Sequence, residues 1–170
     1  MRGYFPRPRT PLFFALALAL LLGSGPATAA TKMPPFNLVD AVSNQKVESS
    51  TYNGKAKLVV FFATWCMPCM QEVPALMSLQ EEYGGDDFTV VAISADNQQK
   101  SVRNFISKQQ VNYPVLMFTR QVVADFGGIP GLPTIFVVDK NDNVVKKYPG
   151  LVPHALLERE VKSLLAVEDQ

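Results

Sequence analysis

The chain has 170 residues, 48% hydrophobic and 18% charged, with 16 basic side chains against 15 acidic ones. This length fits one domain and leaves little room for a second. So even a balance argues against nucleic acid or a membrane surface as the partner.

The first segment reads as a leader. Arg2, Arg7 and Arg9 form a basic start, Pro11 to Leu22 is an uninterrupted apolar run, and Ala27-Thr28-Ala29 has the small-residue form of a cleavage site. This is the pattern of a secretory signal peptide over residues 1–29, which leaves a domain over 30–170. An uncleaved N-terminal anchor is the alternative, but the apolar run falls short of the ~20 residues that span a bilayer. No cysteine lies near the cleavage site, which excludes a lipid-anchored lipoprotein. Cleavage would remove three arginines, leaving 13 basic against 15 acidic residues and a net charge of −2. About 140 residues would remain, enough for one core. An exported destination is an oxidising one.

In chain order, "ATKMPPFNLVD" is a proline-bearing lead-in with extended character, and "KVESSTYNGK" is polar and turn-rich. Lys57 to Ala63, "KLVVFFA", suits a strand buried on both faces, which implies a parallel or mixed sheet covered by helices. "MPCMQEVPALMSLQEEYGG" reads as a helix ended by Gly84-Gly85, with Pro74 expected to kink or break it. Phe88 to Ser94 is a second buried strand. "DNQQKSVRNFISKQQ" is an amphipathic helix with Val102, Phe105 and Ile106 as its apolar stripe and Asp96 or Asn97 as its cap. "YPVLMF" is a short strand-like piece, and "TRQVVADFGG" a short helix closed by glycine. Thr134 to Asp139 is a strand, "KNDN" a turn, "VVKKYPG" a hairpin partner and "VPHALLEREVKSLLAVE" a terminal helix. Strands alternating with helices before a closing hairpin predict an α/β protein, a three-layer α/β/α sandwich around a central mixed sheet.

The chemistry centres on "FFATWCMPCMQEVP", which holds both cysteines of the chain, Cys66 and Cys69. Structural zinc needs four nitrogen or sulfur ligands, and beyond this pair the chain offers one histidine, His154. Copper(I) is harder to dismiss, because thiolates are soft ligands and Met67 and Met70 are near, although helical methionines more often pack in a core. A purely structural staple closing so short a loop would remove little unfolded-chain entropy. A redox pair explains more. Cys66 falls where a buried strand gives way to a helix, facing unpaired N–H groups and the positive end of the helix dipole. That favours thiolate, and the first thiol of a CxxC can fall from ~8.5 to between ~3.5 and ~7.5. Cys66 would attack a substrate disulfide and Cys69, one turn in, would resolve the mixed disulfide. Pro68 suits an early helix position. Trp65 can pack beside the thiol, or be an ordinary aromatic.

This segment resembles the active site of the thioredoxin superfamily, and more narrowly its exported TlpA/ResA/DsbE (CcmG)-like branch. "MPPFNLVDAVSNQKV" resembles the branch's lead-in arm, and "GIPGLPTIFVVDKNDNVVKKYPG" its cis-proline segment and closing hairpin. The resemblance implies a thioredoxin fold and thiol–disulfide exchange with no cofactor beyond a redox-active Cys66–Cys69 disulfide, and no metal. It implies a cis Leu132-Pro133 bond beside the cysteines, with Leu132 backbone groups free to pair with an extended substrate. Trp65, Met67 and Pro68 would line the same docking surface. Glu72, three residues after Cys69, matches an acid that could relay the Cys69 proton, though a solvated surface glutamate is the commoner fate. Cytoplasmic thioredoxins carry a buried aspartate on the preceding strand; the matching residue here is Val60, so any carboxylate assistance falls to Glu72. The resemblance also implies periplasmic or other extracytoplasmic reductase work, with electrons from a membrane thiol donor of the CcdA/DsbD type and substrates such as oxidised CxxCH motifs of apocytochrome c.

Rival families fit less well. The peroxiredoxin pattern P-x-x-x-T-x-x-C would need proline and threonine where Val59 and Ala63 stand. A Sco-like copper chaperone places three residues between its cysteines rather than two. "GLPT" is nearer the ResA/TlpA pattern than the "GAPE" of DsbE-type proteins. The non-enzyme rival is a copper(I)-binding thioredoxin-like chaperone for a cuproenzyme.

Overall fold

The structure is a computed structural model that describes Met1 and residues 31–166. Apart from Met1, the leader expected over residues 1–29 lies outside the described residues. Among the described residues no helix is long and apolar enough to cross a membrane.

The most apolar runs of the sequence form the centre of the sheet. Strands β4 (Ala56–Phe62) and β5 (Phe88–Ser94) are buried along their whole length and pair in parallel. β7 (Thr134–Val138), equally buried, pairs antiparallel with the other side of β4. The flanking strands are β6 (Val115–Met117) beside β5, and β8 (Asn143–Pro149) beside β7. With β1 (Thr31–Lys32) on the outer edge of β8, the mixed sheet has the order β1-β8-β7-β4-β5-β6. A small hairpin, β2 (Asn37–Val39) with β3 (Lys46–Glu48), sits at the far edge, where the Ala41 N–H bonds to the Val115 carbonyl at 2.9 Å. It covers the β6 edge, which would otherwise expose unpaired backbone.

Side chains alternate across the sheet and so build two cores. Leu58, Val60 and Phe62 join α1 (Met67–Tyr83), α2 (Gln99–Gln109) and α4 (His154–Leu165) through Leu76, Leu79, Val102, Leu157 and Val161. Val59 and Phe61 join the lead-in and α3 (Arg120–Asp125) through Phe36, Leu38, Val122 and Phe126. On that second face Phe61, Phe126 and Phe136 meet edge to face at centroid distances of 5.0–5.8 Å. The predicted three-layer mixed-sheet architecture is what forms.

Two local expectations meet a correction. Of the kink or break expected at Pro74, the break does not occur: α1 runs unbroken through it. The proline is exposed, while Val73, Leu76 and Leu79 beside it are buried. Tertiary burial of that face outweighs the ~3 kcal/mol cost of an interior proline. Nor does Asp96 or Asn97 cap α2: the capping position is Gln98, which makes no side-chain cap bond. One buried charge within β4 has a structural partner, as Lys57 pairs its ammonium with Asp142 in the β7–β8 turn.

Candidate active site

β4 ends at Phe62 and α1 begins at Met67, so the four residues Ala63 to Cys66 turn the chain from sheet to helix. Cys66 occupies the N-cap, and its N–H closes the turn on the Ala63 carbonyl at 3.1 Å. Its sulfur accepts the Cys69 N–H at 3.3 Å, the role a capping oxygen usually fills. Pro68 lies within the first turn, where a missing N–H costs nothing. Cys66 and Cys69 are joined as a disulfide with a Cα–Cα distance of 5.3 Å. Both are buried, Cys66 at 7% exposure, whereas the flanking Trp65 and Met67 are 69% and 71% exposed. Pro68 is exposed as well. Trp65 is thus largely exposed next to a buried cysteine pair.

The Leu132–Pro133 peptide is cis. Pro133 immediately precedes β7, whose first residue, Thr134, pairs with Phe61 near the end of β4. The Thr134 hydroxyl donates to the Gly131 carbonyl at 2.8 Å and holds the loop. Leu132 packs against the core cluster that contains both cysteines.

Glu72 is 1% exposed. Its Oε1 accepts the Val152 N–H at 2.9 Å, and its Oε2 has no hydrogen-bond partner among the described residues. Burial pushes its pKa up to about 7, against the smaller lowering effect of the Val152 bond. A buried carboxyl that titrates near 7, three residues after Cys69 on α1, has the proton affinity of a general acid or base. Val60, the position of the thioredoxin aspartate, is buried and apolar. His154 opens α4 on the surface. Tyr113 shares the cysteine cluster, and burial with the nearby Glu72 charge raises its phenol pKa.

Sequence reasoning missed the strap that ties these parts together. The Gly150 N–H bonds to the Pro133 carbonyl at 2.7 Å, and two residues later the Val152 N–H bonds to Glu72. One short segment after β8 thus connects the cis-proline loop to the buried acid. Gly150 has φ 89°, a region that side chains with a Cβ rarely adopt. Gly150→Ala is expected to cost about 1–2 kcal/mol in urea unfolding. The signal in the sequence was the glycine itself, whose demand for a left-handed turn gives no hint of its partners.

The comparisons with known proteins agree with this geometry. The Redoxin family model matches residues 28–165. ResA, a thiol-disulfide oxidoreductase of Bacillus thuringiensis subsp. konkukian, is 29% identical over 134 residues, covering 78% of this chain and 77% of its own. The thioredoxin-like protein YneN of Bacillus subtilis is 32% identical over 131 residues, with 75% of each chain covered. Among solved structures, a thiol:disulfide interchange protein of the thioredoxin family from Chlorobium tepidum superposes with a TM-score of 0.75 at 36% identity. That match covers 81% of this chain and 97% of the other.

Proposed function

The chain belongs to the Redoxin family as a ResA/DsbE-like thiol-disulfide oxidoreductase of thioredoxin fold, and from that premise we propose that it is an exported disulfide reductase. The observation that carries the reading is the Cys66–Cys69 disulfide at the β4–α1 junction, ringed by exposed Trp65, Met67 and Pro68. Such a surface suits a polypeptide substrate more than a small molecule. In the reduced protein the Cys66 thiolate attacks one sulfur of a substrate disulfide. A mixed disulfide forms, and the substrate's other sulfur leaves as a thiolate. Cys69, giving its proton to Glu72, attacks the Cys66 sulfur. The intramolecular disulfide closes and the second substrate thiol is released. Two electrons pass to the substrate, and a membrane dithiol donor of the CcdA/DsbD type restores them. Backbone groups of Leu132 hold the extended substrate strand, with Pro133 cis beside it.

The substrate class we favour is an oxidised CxxCH segment of apocytochrome c, encountered outside the cytoplasm after the leader over residues 1–29 has directed export. The test mixes the reduced protein with an oxidised CxxCH peptide, and separately with insulin, and counts the thiols that appear. Stoichiometric transfer to the peptide is expected. No transfer to either substrate, together with tight one-to-one copper(I) binding in an anaerobic titration, would replace the reductase with a copper carrier.

A further inference from the structure

Asp96 follows β5 by two residues and is free of the capping role its position suggests. Its carboxylate points back to the start of the active-site turn. One oxygen, Oδ2, accepts the Thr64 N–H at 2.8 Å and the Ser94 hydroxyl at 2.8 Å. The other, Oδ1, accepts the Thr64 hydroxyl at 2.6 Å. Asp96 is 5% exposed and Ser94 fully buried. The neighbouring Ala95 N–H bonds to the Phe62 carbonyl at 2.8 Å, so the end of β5 is tied both to the last residue of β4 and to the turn that follows it.

A buried carboxylate is costly unless its oxygens are well bonded. Here two of its charge-assisted bonds, each about twice as strong as a neutral one, fall on a single residue. That residue, Thr64, stands two positions before Cys66. What the arrangement secures is the direction in which the chain leaves the sheet. The Cys66 sulfur needs that direction to meet the N-terminal amides of α1, the Cys69 N–H among them at 3.3 Å.

We propose that Asp96 is a positioning residue for Cys66, holding the Thr64–Trp65 turn so that the sulfur stays against the α1 N-terminus. The inference rests on Cys66 as the exchanging sulfur. Asp96 touches neither substrate nor sulfur; it acts through Thr64. Amides held against the sulfur stabilise the Cys66 thiolate, and hence the dithiol form, relative to the disulfide. Loosening the turn should therefore shift the equilibrium towards disulfide.

Trp65 is the one tryptophan in the chain and adjoins Cys66, so its emission can report the redox state without any exchange assay. The experiment equilibrates the protein in dithiothreitol buffers of graded poise and follows that emission. Asp96→Ala is expected to shift the equilibrium constant about tenfold towards disulfide. Thr64→Val keeps the backbone bond and should shift it less. Asp96→Asn should stay within about twofold of the parent, because its amide oxygen can accept from Thr64 and Ser94 while its NH2 donates to the Thr64 hydroxyl. An Asn shift towards disulfide as large as that of Ala overturns the positioning role; a carboxylate acting by its charge would instead disfavour the thiolate and move both variants towards dithiol, which overturns it too. So does a lower urea midpoint in Asp96→Ala with an unchanged redox constant, the mark of a merely structural residue. Should Asp96→Ala not fold, an unchanged constant in Thr64→Val is equally decisive. A parent protein that reduces no protein disulfide would defeat the reductase reading, while the dithiothreitol equilibrium would still decide the part played by Asp96.

Discussion

Cys66→Ser removes disulfide exchange, and Cys69→Ser stalls it one bond later. A serine hydroxyl is scarcely ionised at neutral pH and cannot leave from a sulfur centre as a thiolate does. The first substitution should lower the rate of insulin reduction about a thousandfold or more. In the second, Cys66 still sits at the α1 N-cap and still attacks, but no resolving sulfur follows. A mixed disulfide should accumulate to one substrate per protein. It is read by mass spectrometry without reductant, and the adduct is mapped to the Cys66 peptide. An adduct that forms instead on Cys69 in the Cys66→Ser protein would reverse the proposed order of attack. Burial argues for the order given: Cys69 is 2% exposed, Cys66 is 7% exposed, and the surface-exposed Trp65 and Met67 flank Cys66.

The second large effect concerns Glu72 and pH. Its carboxyl titrates near 7 in the folded protein against 4.5 for a solvated glutamate, because burial disfavours the charged form. The native state therefore holds a proton that the unfolded chain releases. Stability from this group is complete below the unfolded value and is lost as pH rises through the folded one. A gap of this size corresponds to about 3 kcal/mol at most. Urea unfolding of the oxidised protein at intervals from pH 4 to pH 8.5 should show that decline. Glu72→Gln, uncharged throughout, should lack it. The difference between the two curves isolates Glu72 from the other ionisable groups. If the curves run parallel, Glu72 does not hold a proton at neutral pH and cannot carry one for Cys69.

The gap between sequence and structure at this site is one of distance along the chain. The places of Cys66, Pro68 and Cys69 were legible because they depend on neighbours a few residues away: a strand end, a helix start and a spacing of one turn. Leu132 and Pro133 were legible through resemblance, which supplied the cis bond that local sequence leaves open. Glu72 could be placed on the right helical face, but its burial could not be read. That burial depends on Val152, 80 residues away, closing over it. Asp96 was misread for the same reason. Its position just before α2 made a helix cap the natural local choice, yet Thr64, 32 residues earlier, holds its carboxylate. Pro74 was expected to kink or break α1 because an interior proline costs a backbone bond; no break occurs, because the helix face packed on the sheet outweighs that loss.

The sequence alone thus determined the order of strands and helices, the mixed sheet and the dithiol at its switch from strand to helix. Those features follow from hydrophobic period and from covalent spacing, both of which are local. Only the tertiary structure decided the electrostatics of the site. Whether a carboxylate is solvated or buried, and whether it caps a helix or grips a turn, depends on which distant segment packs against it. Gly150 to Val152 settles that for Glu72, and the β4–α1 turn settles it for Asp96.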